Sequence, residues 1–254
     1  MVNIGIVGCN GRMGHFVADA VEQNNQTNEL FGVDAFGESS YSFPVYKSFS
    51  DIKEAPDAII DFSNPALLDD MLGYAVKNSV PCVICTTGYS QEQVDKIKAA
   101  SEQIAIFYSG NMSLGINLLI ELAKEAAKVL GNSFDIEIIE KHHNLKVDAP
   151  SGTALMIADG ISDVLDEEPQ YVYDRHSYRK KRSKNEIGIH AVRGGTIVGE
   201  HEVIFAGHDE VVTVTHQAQS KEVFAVGAVN AAVFLASQKA GMYNMGNLLN
   251  DKMG

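Results

Sequence analysis

The chain has 254 residues, of which 45% are hydrophobic and 21% charged, so it can bury a large core and is not an intrinsically disordered protein. Its formal net charge of -13 repels phosphate backbones and anionic membrane surfaces, which excludes nucleic acid and membranes as expected partners. No apolar run approaches the roughly 18 residues that span a bilayer, and the N-terminal apolar stretch reaches glycine too soon for a signal peptide. The expected compartment is therefore the cytoplasm.

The first hundred residues alternate short apolar runs with amphipathic stretches, which is typical of βαβ units. The predicted strands are Asn3 to Val7, Leu30 to Asp34, Ala58 to Asp61, Pro81 to Thr86 and Ile104 to Ser109. The predicted helices are Arg12 to Gln23, Asn64 to Asn78 and Ser90 to Gln103. This alternation predicts a Rossmann-type, doubly wound parallel sheet with ligand-binding loops at the carboxyl ends of its strands.

The pattern changes after Ser113. A helix is predicted from about Leu114 to Val129, a strand over Phe134 to His142 and a helix that opens near Ser151; strands follow at Glu186 to Val192, Thr196 to Phe205 and Val211 to Thr215. Consecutive strands without helices between them predict an antiparallel or mixed sheet in a second α/β domain. A final apolar helix from about Lys221 to Lys239 is expected to pack back on the first domain. We therefore expect a dinucleotide-binding domain over residues 1–112, a second domain over 113–229, and a C-terminal segment of about 230–254 that returns to the first.

A glycine-rich turn lies between the first predicted strand and helix. It consists of Gly8, Cys9, Asn10, Gly11, Arg12, Met13 and Gly14. Bare backbone there can approach a pyrophosphate, and the helix N-terminus can stabilise its charge. Asn10 occupies the second glycine position of G-x-G-x-x-G, and Asn tolerates left-handed backbone better than most residues. Asp34 lies about 20 residues beyond Gly14, where an acidic side chain accepts hydrogen bonds from the adenosine ribose. The alternatives are an ordinary tight turn and a solvated carboxylate.

The residues around these strand ends suggest a cofactor preference. No Arg or Lys follows Asp34 until Lys47, so nothing nearby in sequence neutralises a 2′-phosphate, and NADH is expected to be favoured over NADPH. Arg12 either reaches a phosphate or lies on the surface. The nicotinamide side is expected to be lined by Thr86, Thr87, Gly88, Ser109, Gly110, Asn111 and Met112. Small polar residues are common at any strand end, so ordinary loop chemistry is the alternative.

The segment Glu140 to Ala154 concentrates titratable groups between a strand and a helix. His142, His143 and Lys146 offer a proton donor and further positive or hydrogen-bonding groups. The free amides of a helix that opens with Ser151, Gly152 and Thr153 favour an anion such as a substrate carboxylate. Adjacent histidines in a strand point to opposite faces, so one of them can be merely structural, and the Ser-Gly-Thr sequence can be only a helix cap.

The string EKHHNLKVDAPSGTA resembles the characteristic motif of the 4-hydroxy-tetrahydrodipicolinate reductase family. The strings GCNGRMG, DFSNP, TTG, NMSLG and VRGGTIVGEHEV extend the likeness over nearly the whole chain. The resemblance implies reduction of a cyclic hydroxy dicarboxylate by NADH or NADPH in lysine biosynthesis, with loss of water. It also implies a homotetramer whose contacts lie in the second, substrate-binding domain.

Carried over by position, the resemblance makes His142 the proton donor and Lys146 a second catalytic donor. It places His143 and the amides of Gly152 and Thr153 on the substrate. Its cofactor contacts are Gly8 to Met13, Asp34, Cys85 to Thr87 and Ser109 to Met112. Two departures, Ala35 where many members carry a base and Asn10 where many carry glycine, put cofactor choice in doubt but not the reaction.

Other features are expected to be structural. Cys82 and Cys85 lie in a predicted buried strand and point to opposite faces, which favours core packing over redox or zinc chemistry. The basic run from Asp174 to Lys184 is expected to be a solvated loop or a subunit contact. No metal-ligand spacing occurs among the eight histidines, and Glu200 and His201 are expected on a solvent face or tetramer contact. The competing functions are a non-catalytic dinucleotide sensor and another two-domain dehydrogenase acting on an amino or keto acid.

Overall fold

The structure is a computed structural model that describes residues 1–36 and 41–253, so the last residue of the expected C-terminal segment lies outside it. In chain order the strands are β1 (Val2–Val7), β2 (Thr27–Val33), β3 (Val45–Tyr46), β4 (Ala58–Asp61), β5 (Cys82–Ile84), β6 (Ala105–Tyr108), β7 (Asp135–His142), β8 (Gln170–Val172), β9 (Glu186–Arg193), β10 (Gly199–Ala206), β11 (Val211–Ala218) and β12 (Gly241–Tyr243). The helices are α1 (Arg12–Gln23), α2 (Leu68–Asn78), α3 (Gln91–Ser101), α4 (Leu114–Leu130), α5 (Gly152–Ser162), α6 (Glu222–Leu235) and α7 (Met245–Met253). Within the described ranges, no helix is long and apolar enough to cross a bilayer.

The first compact unit comprises Met1–Ser113 and Glu222–Gly254. Its seven strands are all parallel in the order β12-β6-β5-β4-β1-β2-β3. The chain builds outward from β1 through β2 and β3, then returns to the other side of β1 with β4. The prediction of a doubly wound parallel sheet is therefore confirmed, and the strand order reverses between β1 and β4, where open α/β sheets bind their ligands.

The second unit, Leu114–Lys221, holds a five-stranded mixed sheet in the order β11-β10-β7-β9-β8. β10 runs antiparallel to β7 and β11, whereas β9 runs parallel to β7 and β8. One face of this sheet buries Ile138 and Phe205 against apolar residues of α4 and α5, including Ile157. The prediction of a mixed sheet is confirmed, and β7 is its central strand.

Three short strands and the C-terminal helix boundaries differ from the sequence prediction. β3, β8 and β12 have two or three residues each, which is too short for an alternating pattern to emerge. The helix predicted over Lys221 to Lys239 ends at Leu235, and β12 then joins the sheet edge beside β6 before α7 begins. All of α6 belongs to the first unit, so the chain returns there at Glu222 and not at about residue 230. α6 is rich in alanine and apolar on nearly all sides, so it packs in the interior of that unit, against the sheet and α1.

Close packing within the glycine-rich turn explains why α1 starts where it does. A Cβ on Gly14 would lie 2.2 Å from the carbonyl oxygen of Gly8 and 2.5 Å from that of Cys9. Gly8 itself has a φ of +78° and lies against the backbone of Phe62. Since real Cβ atoms do not approach backbone oxygens so closely, α1 can follow β1 this tightly only without side chains at these positions.

We predict that Gly14→Ala lowers the free energy of unfolding by about 2 kcal/mol or more, because the new methyl group must displace the backbone of the turn. The matched control is Gly73→Ala in α2, which is exposed and has no atom within 4 Å of the added Cβ. That substitution should stabilise by about 1 kcal/mol through helix propensity. Urea unfolding followed by circular dichroism measures both, and equal effects of the two variants would contradict the packing argument.

Candidate active site

In the first unit, the glycine-rich turn is tied to the end of β2 through Asp34. One oxygen of this carboxylate accepts from the amide of Asn10 at 3.1 Å, and the other accepts from the amide of Phe36 at 3.1 Å. The Asn10 side chain in turn donates to the carbonyl of Phe36. Each oxygen of Asp34 keeps a further lone pair that can accept from a ribose hydroxyl. The Asn10 side chain therefore makes a hydrogen bond to the segment after Asp34 that a glycine at this position could not make.

The N-terminus of α1 is open to an anion. Gly11 is its N-cap and makes no side-chain hydrogen bond to the first-turn amides, and the first turn holds no acidic residue. Arg12 is exposed at that end. Free amides, a positive helix end and an adjacent cation suit a pyrophosphate, so the residues present fit a dinucleotide.

The other expected cofactor residues lie at the carboxyl ends of β5 and β6, but their side chains are unequally available. Thr87 is exposed, whereas Thr86 is buried. Met112, after β6, is 4% exposed, and Cys9, in the glycine-rich turn after β1, is 0% exposed. The sulfur of Cys9 fills the space over Gly32, so only the backbone of Cys9 faces the turn.

A buried carboxylate that the sequence reading missed organises this edge of the first sheet. Asp61, at the end of β4, is 1% exposed and accepts hydrogen bonds from both the amide and the hydroxyl of Ser63 and from Tyr89 at 3.2 Å. Burial raises the pKa of Asp61, and the hydrogen bonds from Ser63, Thr86 and Tyr89 oppose the rise only in part. The amide of Ser63 also donates to the Thr86 hydroxyl at 2.8 Å. Asp61 thus joins the loops that follow β4 and β5.

In the second unit, β7 ends in a second buried carboxylate, Glu140, which is 0% exposed. Arg193 of β9 grips it with two hydrogen bonds of 2.8 and 2.7 Å, and the Ser151 amide donates to it at 2.9 Å. The third partner is His142, whose Nδ1 lies 2.6 Å from the carboxylate. Burial alone would raise the pKa of Glu140, but these hydrogen bonds outweigh burial and lower it.

His142 lies at the carboxyl end of β7 with a second histidine beside it. The ring of His201 packs edge-on against it, with ring centroids 5.2 Å apart, and the Nε2 of His201 lies 3.2 Å from the Ser151 hydroxyl. Burial lowers the pKa of His142 below its ordinary value despite the hydrogen bond to Glu140, and the positive charges of Lys146 and Arg193 add to the effect. Burial lowers the pKa of His201 further, to about 4. His201 is therefore neutral at pH 7.

The loop after β7 carries the remaining expected residues into the α5 N-terminus. Ser151 is the N-cap of α5, and its hydroxyl accepts a hydrogen bond from the amide of Ala154 at 3.1 Å. Its side chain therefore caps the helix. Gly152 and Thr153 begin the helix. Lys146 is partly buried, with its Nζ 2.8 Å from Asp148. His143 is half-buried and directly follows the strand, so it does not share the inward-facing position of His142.

The structure corrects one expectation about surface residues and adds detail to another. His201 is not on a solvent face, because its 4% exposure places it inside, while its neighbour Glu200 faces the other side of the sheet and pairs with Lys141 at 3.0 Å. The basic run is mostly exposed, as expected of a solvated loop, but two of its arginines also form ion pairs with carboxylates of the sheet. Arg175 and Arg182 bind Glu137 at 2.9 and 3.0 Å, and Arg175 also binds the buried Glu186 at 3.0 Å. Unpaired carboxylates in a sheet are costly to bury, so the cations of this loop close over them.

Comparison with known proteins identifies the family. The family model described as dihydrodipicolinate reductase, N-terminus, matches residues 2–112, and the model described as dihydrodipicolinate reductase, C-terminus, matches residues 115–249. The chain belongs to the dihydrodipicolinate reductase family. Proteins called 4-hydroxy-tetrahydrodipicolinate reductase are similar to this reductase over their whole length: that of Caldanaerobacter subterraneus subsp. tengcongensis is 54% identical, with 98% of each chain covered, and that of Clostridium tetani is 48% identical, with 98% of each chain covered.

A solved structure is similar as well. The dipicolinate-bound dihydrodipicolinate reductase from Paenisporosarcina sp. TG-14 is 25% identical to this reductase, with a TM-score of 0.79, and the match covers 96% of this chain and 97% of that chain. The sequence-based family resemblance is therefore confirmed. In this reductase, no group of three or more His, Cys, Asp or Glu side chains among residues 1–36 and 41–253 is arranged to hold a metal ion.

Buried neutral His201 predicts an acid-sensitive fold. The ordinary pKa of 6.5 applies to the unfolded chain, and about 4 applies to the folded one, so the unfolded state binds the proton first as the pH falls. The associated stability is complete above about pH 6.5 and is lost as the pH falls toward 4. Between pH 7 and pH 5, this one residue should account for a loss of about 2 kcal/mol in the free energy of unfolding.

We predict that His201→Gln makes the free energy of unfolding less dependent on pH in that interval. Urea unfolding at pH 7 and pH 5, at one protein concentration, measures the difference. His208→Gln is the matched control, because the His208 side chain is 94% exposed in the same unit. If His201→Gln loses as much stability between the two pH values as wild type and the control, His201 is not buried in its neutral form.

Proposed function

We propose that this reductase converts 4-hydroxy-tetrahydrodipicolinate to tetrahydrodipicolinate and water with NADH or NADPH, in the diaminopimelate route to lysine. The observation that carries the proposal is the whole-chain similarity to relatives called 4-hydroxy-tetrahydrodipicolinate reductase, at 54% and 48% identity. The cluster formed by Glu140, His142 and Arg193 at the end of β7 supports it, because a proton donor is needed there.

A small dicarboxylate fits the residues around the α5 N-terminus. The backbone amides of Gly152 and Thr153 belong to the N-terminus of α5, and a helix N-terminus attracts negative charge. The first turn of α5 has no acidic residue that would occupy this position. Dipicolinate, the ligand in the related solved structure, is itself a ring dicarboxylate. The Ser151 amide is bound to Glu140 and its hydroxyl caps the helix, so we assign one carboxylate to the amides of Gly152 and Thr153, with His143 as a further substrate contact.

The chain's own groups account for the proton that the reaction consumes. When bound, the reduced nicotinamide supplies a hydride to the unsaturated ring that forms as the substrate loses its hydroxyl group. Negative charge then builds up on the ring, and donors close to it lower the energy of that state. We propose that His142 and Lys146 hold the available protons, at Nε2 and Nζ, and that one of them protonates the reduced ring. This assignment balances the hydride with one proton and one released water.

We predict that His142→Gln lowers kcat about 100-fold or more and changes KM much less, because the group acts mainly in the transition state. His190→Gln is the matched control. His190 also pairs with a glutamate, Glu137, at 2.7 Å, but lies on the opposite face of the same sheet. Steady-state kinetics with saturating NADH measure both variants, and an unchanged kcat in His142→Gln would remove this histidine from the chemistry.

We infer a preference for NADH. Asp34 would accept from the ribose hydroxyls, Ala35 follows it in the sequence, and a 2′-phosphate would meet the carboxylate with no Arg or Lys before Lys47. We predict a higher kcat/KM with NADH than with NADPH, and Ala35→Arg should improve the NADPH value relative to the NADH value by about tenfold through one charge-assisted contact. A wild-type preference for NADPH would contradict the inference.

One assay separates the proposed reaction from its alternatives. Purified protein is mixed with NADH and freshly generated 4-hydroxy-tetrahydrodipicolinate, and the absorbance of the reduced cofactor is followed. The proposal expects rapid oxidation that depends on both. Binding of NADH without turnover would favour a dinucleotide sensor, and turnover only with amino or keto acids would favour another dehydrogenase.

We further propose a cytoplasmic homotetramer joined through the outer face of the second sheet. Val192 and Val211 are 44% and 63% exposed there, and Ile139 and Ile204 are half-buried on the same face. Exposed apolar side chains gathered on one sheet face are typical of a subunit interface. Light scattering after gel filtration gives the oligomeric mass.

A further inference from the structure

Glu140 occupies a position from which it can control the protonation of His142. Its carboxylate accepts from both terminal nitrogens of Arg193, at 2.8 and 2.7 Å, and from the Ser151 amide at 2.9 Å. A carboxylate held by this many donors is ionised and can only accept hydrogen bonds. The atom of His142 that faces it at 2.6 Å, Nδ1, must therefore carry a hydrogen.

We infer that Glu140 is a positioning residue for the proposed reaction: it fixes His142 as the Nδ1–H tautomer, so that only Nε2 exchanges protons, while Arg193 compensates the charge of Glu140. The inference rests on the proposed function for its catalytic meaning. Its structural content, the tautomer and the charge balance, stands on the geometry alone.

The far side of the ring supports the same assignment. Gly199, the first residue of β10, lies against His142 so closely that a Cβ there would be 3.2 Å from Nε2. Glycine thus leaves room around the one nitrogen that is not engaged by Glu140. The carboxylate holds the ring at Nδ1, and the His201 ring packs nearly perpendicular to it, so the orientation of His142 is fixed before any ligand arrives.

Four titratable groups face His142, and each comes from a different part of the second unit. Glu140 on β7 favours the protonated ring, whereas Arg193 on β9 and Lys146 in the following loop disfavour it; His201 on β10 is neutral at pH 7. Arg193 therefore affects the protonation of His142 as well as binding Glu140. By neutralising Glu140 it keeps His142 from forming a permanently protonated ion pair, which would be a poor proton donor near neutral pH.

The test measures the pKa of His142 by NMR titration of protein labelled with ¹³C-histidine, with the His142 resonance assigned from His142→Gln. Glu140→Gln should lower this pKa by about one pH unit, because the favourable negative charge is lost while Arg193 remains. Arg193→Gln should raise it by about one pH unit, because the charge of Glu140 then acts on His142 alone. Arg193→Lys, which keeps the positive charge, should restore a value near that of wild type.

The matched control is Glu137→Gln on the same strand. Glu137 also binds a histidine and two arginines, but on the opposite face of the sheet, so the pKa of His142 should not change. Shifts in the same direction for Glu140→Gln and Arg193→Gln, or no shift in either, would overturn the inference. If Glu140→Gln does not fold, the contrast between Arg193→Gln and Arg193→Lys decides the question by itself.

The kinetic readout separates this inference from the proposed function. In each folded variant, the limb of the kcat profile that reports His142 should move along the pH axis in the same direction as its NMR pKa, with KM less affected. If wild-type protein does not turn over 4-hydroxy-tetrahydrodipicolinate but the opposite pKa shifts are observed, the reaction is wrong and the positioning role stands. If turnover is normal and the shifts are absent, the positioning role is wrong and the reaction stands.

Discussion

The second unit depends on one constraint, which is that a fully buried carboxylate must be satisfied on all sides. Glu140 receives hydrogen bonds from β9 through Arg193, from the start of α5 through the Ser151 amide, and from its own strand through His142. Breaking such a buried pair by removing one partner typically costs about 3–5 kcal/mol. The requirement therefore fixes the last residues of β7, the end of β9 and the first amides of α5 relative to one another. One of these groups, His142, is the proposed proton donor, and another, Ser151, caps the helix whose first amides are proposed to bind the dicarboxylate.

The first unit uses the same principle with different residues. Asp61 is buried at the end of β4, where it holds Ser63 and Tyr89, and Asp34 at the end of β2 holds the amides of Asn10 and Phe36. In both cases, a carboxylate at the carboxyl end of a parallel strand organises the loop that follows and the loop next to it. A sheet edge that must bind a dinucleotide is shaped in this way by internal hydrogen bonds before any cofactor is present.

The sequence was sufficient for the parallel sheet because β1 and β4 are short apolar runs that alternate with amphipathic helices, and α1 was predicted with the bounds that it has. It failed at the edge strands β3, β8 and β12, which have only two or three residues each and pair with a single neighbour. At the site, the chemical character of His142 and Lys146 was evident from residue type. The roles of Arg193 and His201 were not, because both lie about 50 to 60 residues from His142 and approach it only through sheet pairing. The period-2 alternation of β10 could have separated His201 from Glu200, and the position of Glu140 two residues before His142 on the same face could have paired them.

The central claim is that an ionised, buried Glu140 holds the proton-donating histidine in one tautomer. The most direct measurement is the pair of ¹⁵N chemical shifts of the His142 ring in wild-type protein at a pH where the imidazole is neutral. If Glu140 holds His142 in one tautomer, the shifts will show a protonated, pyrrole-type Nδ1 and an unprotonated, pyridine-type Nε2. The reverse assignment, or an equal mixture of the two tautomers, would contradict it.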